Sequence, residues 1–240
     1  MRQAIKNFLI RILWPYISLK KTIFFYTLPA RLSNPTSIDY LKERVLQSSA
    51  AFIEENCSKA MIFSTRAKFW DYGISLADKQ MIFAEFGVSW GKSINHFAKK
   101  LPEETIMYGF DSFEGLREDF TGTSFASGSF STNGELPKVP KNVKLIRGWF
   151  ENTLPIFLNE VGGNFGFVHL DADTYESTKL VLELLGNRIT SDCIVVFDEY
   201  LGVPNWENHE HKAWTEFAIS KKIKYEYIAF APQGAMVRIT

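Results

Sequence analysis

The chain has 240 residues, 46% of them hydrophobic and 22% charged, so it is long enough for one large domain and too apolar to be disordered. Its 27 basic and 27 acidic residues cancel, which excludes the strong basic field expected of a nucleic-acid binder. Two cysteines, Cys57 and Cys193, make no disulfide framework and point to a reducing, cytoplasmic setting.

The first 38 residues carry Arg2, Lys6, Arg11, Lys20, Lys21 and Arg31 and no acid. Ile5, Phe8, Leu9, Ile12 and Tyr16 share one helical face, while Pro15 and the Lys20–Lys21 pair keep every apolar run short of the ~20 residues a bilayer span needs. Such a segment packs on its own domain or on a second subunit, or lies at a membrane interface through residues 1–30. Asn34-Pro35 then breaks the chain. Thr36 and Asp39 have capping-box spacing, and Leu41, Val45, Leu46, Phe52 and Ile53 form an apolar stripe. Residues 1–75 are therefore expected to be a helical extension, with residues 76–240 as the main domain.

From residue 80 short apolar runs alternate with helix-length segments. The runs are MIFAEF (81–86), TIMYGF (105–110), VKLIRG (143–148), FGFVHL (165–170) and CIVVF (193–197). Strands separated by helices predict right-handed crossovers and a parallel sheet covered on both faces. After a helix near 209–222, KYEYIAF and AMVRIT are separated by too few residues for a crossover, so they should be antiparallel neighbours. The expected fold is α/β: a doubly wound, mostly parallel seven-stranded sheet ending in an antiparallel hairpin. Residues 119–142, rich in Gly, Ser, Thr and Pro, form a connection long enough to suggest a lid over the strands' carboxyl ends.

Three groups of residues carry chemistry. In AEFGVSWGKS (84–93) a strand ends near Glu85, and Gly87 and Gly91 allow a tight turn into a helix. The helix start suits an anion, a carboxylate as well as a phosphate. The spacing departs from the dinucleotide fingerprint because Ser89 stands where its second glycine would be. In YGFDSFEGL (108–116), Asp111 follows the second strand, where a carboxylate accepts the hydroxyls of a ribose, and Phe113 is placed near a nucleobase. HLDADTYEST (169–178) and FDEY (197–200) put Asp171, Asp173, Asp198 and Glu199 at the ends of the fourth and fifth strands. Carboxylates gathered there repel one another unless protonated or shared by a hard cation such as Mg²⁺.

In order and spacing, EFGVSWGKS, GFDSFEGL, GWFENTLP (148–155), HLDADTYEST and VVFDEY resemble the macrocin-type sugar O-methyltransferases, a class I group dependent on S-adenosylmethionine. The resemblance covers residues 80–220 and leaves the N-terminal third without a counterpart. It implies that Glu85, Gly87 and the following turn, with Gly91 and Ser93, hold the methionine part of the cofactor. It places Asp111 on the ribose, Ser112 and Phe113 near the adenine, and Gly148 and Trp149 beside it. Asp171 would touch both cofactor and metal, and Asp171, Asp198 and Glu199 would bind Mg²⁺. Glu199 departs from the shorter Asp or Asn usual at its position.

The expected reaction is metal-assisted methylation of a hydroxyl on a glycan or small-molecule acceptor, part of natural-product or glycan modification. Asp171 and His209 are the candidate catalytic groups, the latter because imidazole titrates near neutral pH. Trp149, Trp206 and Trp214 suit stacking on an acceptor ring. The alternatives are a nicotinamide-dependent oxidoreductase on the same sheet, or a non-catalytic binding protein built on a methyltransferase fold.

Overall fold

The computed structural model describes residues 35–240. The amphipathic segment expected over residues 1–30, with its membrane, subunit or core contacts, lies outside the described residues. The chain divides into two units, residues 1–44 and 45–240. In the first, Thr36 caps a helix: the Thr36 amide donates to Asp39 Oδ2 at 2.8 Å, and the Asp39 amide donates to Thr36 Oγ1 at 3.3 Å. These are the reciprocal bonds of a capping box. The helix, α1 (Ser37–Asn56), runs on into the second unit.

The second unit begins at Val45, well before the expected boundary at residue 76, because the next helix belongs to its core. After β1 (Met61–Ile62), α2 (Arg66–Leu76) buries Phe69, Trp70 and Ile74. A Cβ on its Gly73 would lie 2.8 Å from Met236 Cε, so the helix sits close against the sheet. Then follow β2 (Ile82–Phe86), α3 (Lys92–Ala98), β3 (Met107–Asp111), β4 (Val143–Arg147), α4 (Phe150–Glu160), β5 (Phe165–Leu170), α5 (Tyr175–Leu185), β6 (Ile189–Phe197), α6 (Glu210–Lys221), β7 (Tyr225–Phe230) and β8 (Ala235–Ile239).

The sheet order is β1-β7-β8-β6-β5-β2-β3-β4. β8 is antiparallel to both β6 and β7, and every other pair is parallel. This is the expected seven-stranded arrangement with one addition, the two-residue β1 on the β7 edge, too short to leave a sequence pattern. β2 and β5 are buried at every position, as strands covered on both faces must be. α2 and α3 pack against each other, and α4, α5 and α6 pack in succession. In its second half α1 places Phe52 against Tyr200, Trp206, His211, Tyr227 and Phe230. Its Ser48 and Ser49 hydroxyls accept from Trp206 Nε1 and the Gly202 amide. Among the described residues no helix is long and apolar enough to cross a membrane.

The strand ends of the sheet set the position of the cleft. The ladder extends past the strand ends: the amides of Gly87, Gly148, Asp171 and Asp198 donate to the carbonyls of Phe110, Asp111, Phe86 and Leu170. The carboxyl ends of β3, β2, β5 and β6 therefore finish side by side, with their terminal residues in a row.

Candidate active site

A cleft of about 370 Å³ opens along that row, within the range of small-molecule and cofactor sites. Its walls are Gly87 to Trp90 with Lys92 and Ser93, Asp111 and Ser112 with Gly115 to Arg117, Phe130, and Gly148 to Glu151. Asp171 to Asp173, Ser177, Leu180, Asp198, Glu199, Arg66 and Trp70 complete them.

At one end the wall is mostly main chain. Gly87 has φ +94°, and a Cβ there would sit 1.8 Å from the Asp171 carbonyl oxygen, so only glycine lets the β2 turn pass the β5 end. Asp111 Oδ2 accepts the amides of Val88 and Ser89, both at 2.7 Å, and Oδ1 accepts the Phe113 amide at 2.6 Å. The carboxylate thus pins the glycine turn while lining the cleft; the two amides take both acceptor sites of Oδ2, and Oδ1 keeps one lone pair for a ligand hydroxyl. Trp149 lies beneath Arg117, whose guanidinium is 5.0 Å from the ring centroid and 2.6 Å from Glu151 Oε1.

The other end is a cluster of acids. Asp171, Asp173 and Glu199 each offer an oxygen, all within 4.8 Å of one another. Burial first, then the charges of Asp198 and Glu199, pushes Asp171 well above the usual carboxylate range. Burial and Asp198 raise Asp173 to about 7, and burial with Asp198 and Asp173 raises Glu199 to about 8. Asp173 also stands at φ +61°, a left-handed conformation that Asp tolerates better than most residues. Asp198, expected among the ligands, is turned aside. Its Oδ2 is 2.7 Å from Arg66 Nη1, and its Oδ1 is 3.7 Å from His169 Nε2. Burial would raise it, but His169 and Arg66 hold it below the ordinary value.

Under the floor runs a second line of polar contacts. Glu85 and His169 are register partners on adjacent β2 and β5, which brings Glu85 Oε2 to 3.1 Å from His169 Nδ1. Ser93 Oγ donates to Glu85 Oε1 at 3.0 Å. Burial opposes a charge on His169, yet Asp198 and Glu85 outweigh it and raise the imidazole to about 9. Glu210, fully buried at the start of α6, accepts the Glu199 amide at 3.1 Å.

Of the residues expected to touch a cofactor, Gly87, Ser93, Asp111, Ser112, Gly148, Trp149 and Asp171 line the cleft. Four expectations fall elsewhere. Glu85 is fully buried beneath the floor, taken up by His169 and Ser93. Phe113 is 1% exposed and packs in the apolar core. Gly91 starts α3 at φ +78°, facing Pro137 rather than the cleft. His209 is buried with Nε2 2.9 Å from the Thr121 carbonyl oxygen and its ring against Phe120, so it anchors a loop and does not reach the acids. Trp206 and Trp214 are core residues, and the tryptophan exposed at the cleft is Trp90. Sequence reasoning missed Arg66, which has no motif, and Arg117, which directly follows one.

The segment 119–142 has no helix or strand, but it is tied down. Its Thr121 carbonyl meets His209, its Phe130 carbonyl accepts from Ser89 Oγ at 3.1 Å, and the preceding Glu118 accepts from Thr174 and Ser177 at the start of α5. Phe130 reaches the cleft.

Residues 84–200 match a family described as a methyltransferase domain. No curated protein is similar enough in sequence to be recognised as a relative. Among solved structures, the calicheamicin methyltransferase CalS11 is 20% identical, over 86% of this chain and 94% of its own, with a TM-score of 0.58. A second structure of CalS11, described as a TDP-rhamnose 3'-O-methyltransferase, is 20% identical over 88% and 99%, with a TM-score of 0.50. The O-methyltransferase NovP is 18% identical over 85% and 100%, with a TM-score of 0.53. At these identities the likeness is one of fold.

Proposed function

We propose that this chain, whose residues 84–200 match a methyltransferase-domain family, is an S-adenosylmethionine-dependent methyltransferase that methylates a hydroxyl group on a sugar or similar small acceptor, assisted by a divalent cation. The observation that carries this reading is the acid cluster at one end of the cleft whose other end suits the cofactor. The fold neighbours CalS11 and NovP, both O-methyltransferases by description, support the same choice of acceptor atom.

In this reading Gly87 and the turn after it face the methionine part, Asp111 holds the ribose, and Ser112, Gly148 and Trp149 border the adenine. The acids fit a hard cation. They are crowded and raised, and Glu199 Oε2 is a buried oxygen without a hydrogen-bond partner. Asp171, Asp173 and Glu199 would hold the ion, a set that replaces Asp198 of the original expectation with Asp173. When bound, such an ion lowers the pKa of an acceptor hydroxyl and orients it. The protein's own part is to align that hydroxyl with the methyl carbon and to take its proton. His209, first considered for that proton, is instead bonded to the Thr121 carbonyl.

The test is a methyl-transfer assay across glycosides, nucleotide sugars, catechols and lipid-linked sugars, with and without EDTA. Product from a hydroxyl acceptor that disappears with EDTA and returns with Mg²⁺ is expected. Full turnover in EDTA would remove the cation, and transfer only to amines or thiols would remove the hydroxyl. The expectation of membrane contact through residues 1–30 is tested separately, by flotation with anionic vesicles of the full chain and of a chain starting at residue 35.

A further inference from the structure

Arg66 opens α2, outside every motif that marks the cleft, yet its guanidinium pairs with two of the acids. Nη1 is 2.7 Å from Asp198 Oδ2, and Nη2 is 2.7 Å from Glu199 Oε1 and 2.9 Å from Gln233 Oε1. The two acids respond differently. Asp198, 2% exposed, is held between Arg66 and His169 and does not join the cluster. Glu199 joins the cluster with Asp171 and Asp173: it gives Arg66 one oxygen, and its Oε2, like Asp198 Oδ1, is buried without a hydrogen-bond partner.

We propose that Arg66 is the residue that determines which divalent ion the cluster accepts and how tightly. This rests on the reading that the cluster takes such an ion. Two effects act in the same direction. A guanidinium bonded to Glu199 repels a doubly charged ion a short distance away, and in a partly buried setting that repulsion is strong. The same guanidinium withdraws Asp198, so three carboxylates face the ion where four are near. Calcium favours six to eight oxygen ligands, whereas a smaller ion is satisfied by fewer carboxylates and keeps positions for water or an acceptor oxygen. Arg66 thus biases the site toward the smaller ion and leaves room for the substrate. Its planar fork matters as well as its charge, because a lysine in its place is a point charge that would not span both acids.

The experiment titrates Mn²⁺ into wild type, Arg66→Gln and Arg66→Lys, following free Mn²⁺ by electron paramagnetic resonance, with Ca²⁺ as competitor and thermal melts as the check on folding. Arg66→Gln is expected to bind Mn²⁺ at least about tenfold more tightly and to shift in favour of Ca²⁺, with Arg66→Lys between it and wild type. Binding by Arg66→Gln when wild type shows none supports the same conclusion. If Arg66→Gln does not fold, tighter binding by Arg66→Lys than by wild type carries the result. Wild-type binding with equal or weaker binding in the folded variants overturns the role of Arg66 and leaves the cation reading standing. Absence of Mn²⁺ binding in all three removes the cation reading and this inference with it.

Discussion

The two ends of the cleft are built by different means. At the end we assign to the cofactor, the wall is the main chain of two strand-to-helix turns, tightened by Gly87 and Gly148 and pinned by one carboxylate, Asp111, that accepts three amides. Those contacts join residues near one another in sequence or at the ends of neighbouring strands. At the acid end the wall is side-chain charge, and its partners are remote: Arg66 stands 133 positions from Glu199, and Glu85 stands 84 from His169. The first end is specified by turn spacing, the second by which long side chains meet after folding.

The largest expected effect tests whether the two ends are separable. Asp171→Asn should lower kcat roughly 10²–10⁴-fold while calorimetry finds S-adenosylhomocysteine affinity nearly unchanged. A parallel loss of affinity would mean that Asp171 belongs to the cofactor end. Next in size is Asp111→Ala, which removes charge-assisted hydrogen bonds of about 1.5–3 kcal/mol each. Cofactor affinity should fall, and the melting temperature with it, because three amides lose their acceptor. A lower melting temperature with unchanged affinity would assign Asp111 to the turn alone.

The acid end should also respond to pH. Glu199 is raised to about 8, so its folded form favours the proton, and stability declines as pH rises from its unfolded value through 8. His169, raised to about 9, contributes stability fully below about 6.5 and loses it as pH rises through 9. Both have the same sign. The melting temperature of metal-free protein should therefore fall between pH 6 and pH 9, and Mg²⁺ or Mn²⁺ should raise it most at the alkaline side. A flat profile with no response to either ion would count against the electrostatic account of this end. The smallest effect is expected from His209→Gln, which loses one neutral hydrogen bond to Thr121, about 1 kcal/mol. Turnover and its pH profile should stay as in wild type while proteolysis within 119–142 quickens. A displaced pH profile would return His209 to the chemistry.

Much of this was legible beforehand, and the places where it was not have a common cause. The strand runs, the terminal antiparallel pair and the glycine turn are patterns of hydrophobicity and backbone permissiveness, which are local. An aromatic after a strand reads alike whether it faces a ligand or the core, and Phe113 is buried in the core. Strand alternation assigns Glu85 a face but not a neighbour, and the register puts His169 beside it. His209 looked like a base by residue type, whereas its partner is a carbonyl 88 positions away.

Sequence alone determined the α/β sheet, the row of turns at its carboxyl edge and the residue types gathered there, because each follows from the periodicity of burial and from glycine's freedom over a few neighbouring positions. Only the tertiary structure decided which acids share a space and which are turned away. Asp198 and Glu199 are adjacent in the chain and carry the same group, and they differ because Arg66 and His169, brought in by α2 and β5, flank Asp198, whereas Glu199 pairs with Arg66 and lies with Asp171 and Asp173. Charge acts through space at distances that chain order does not encode.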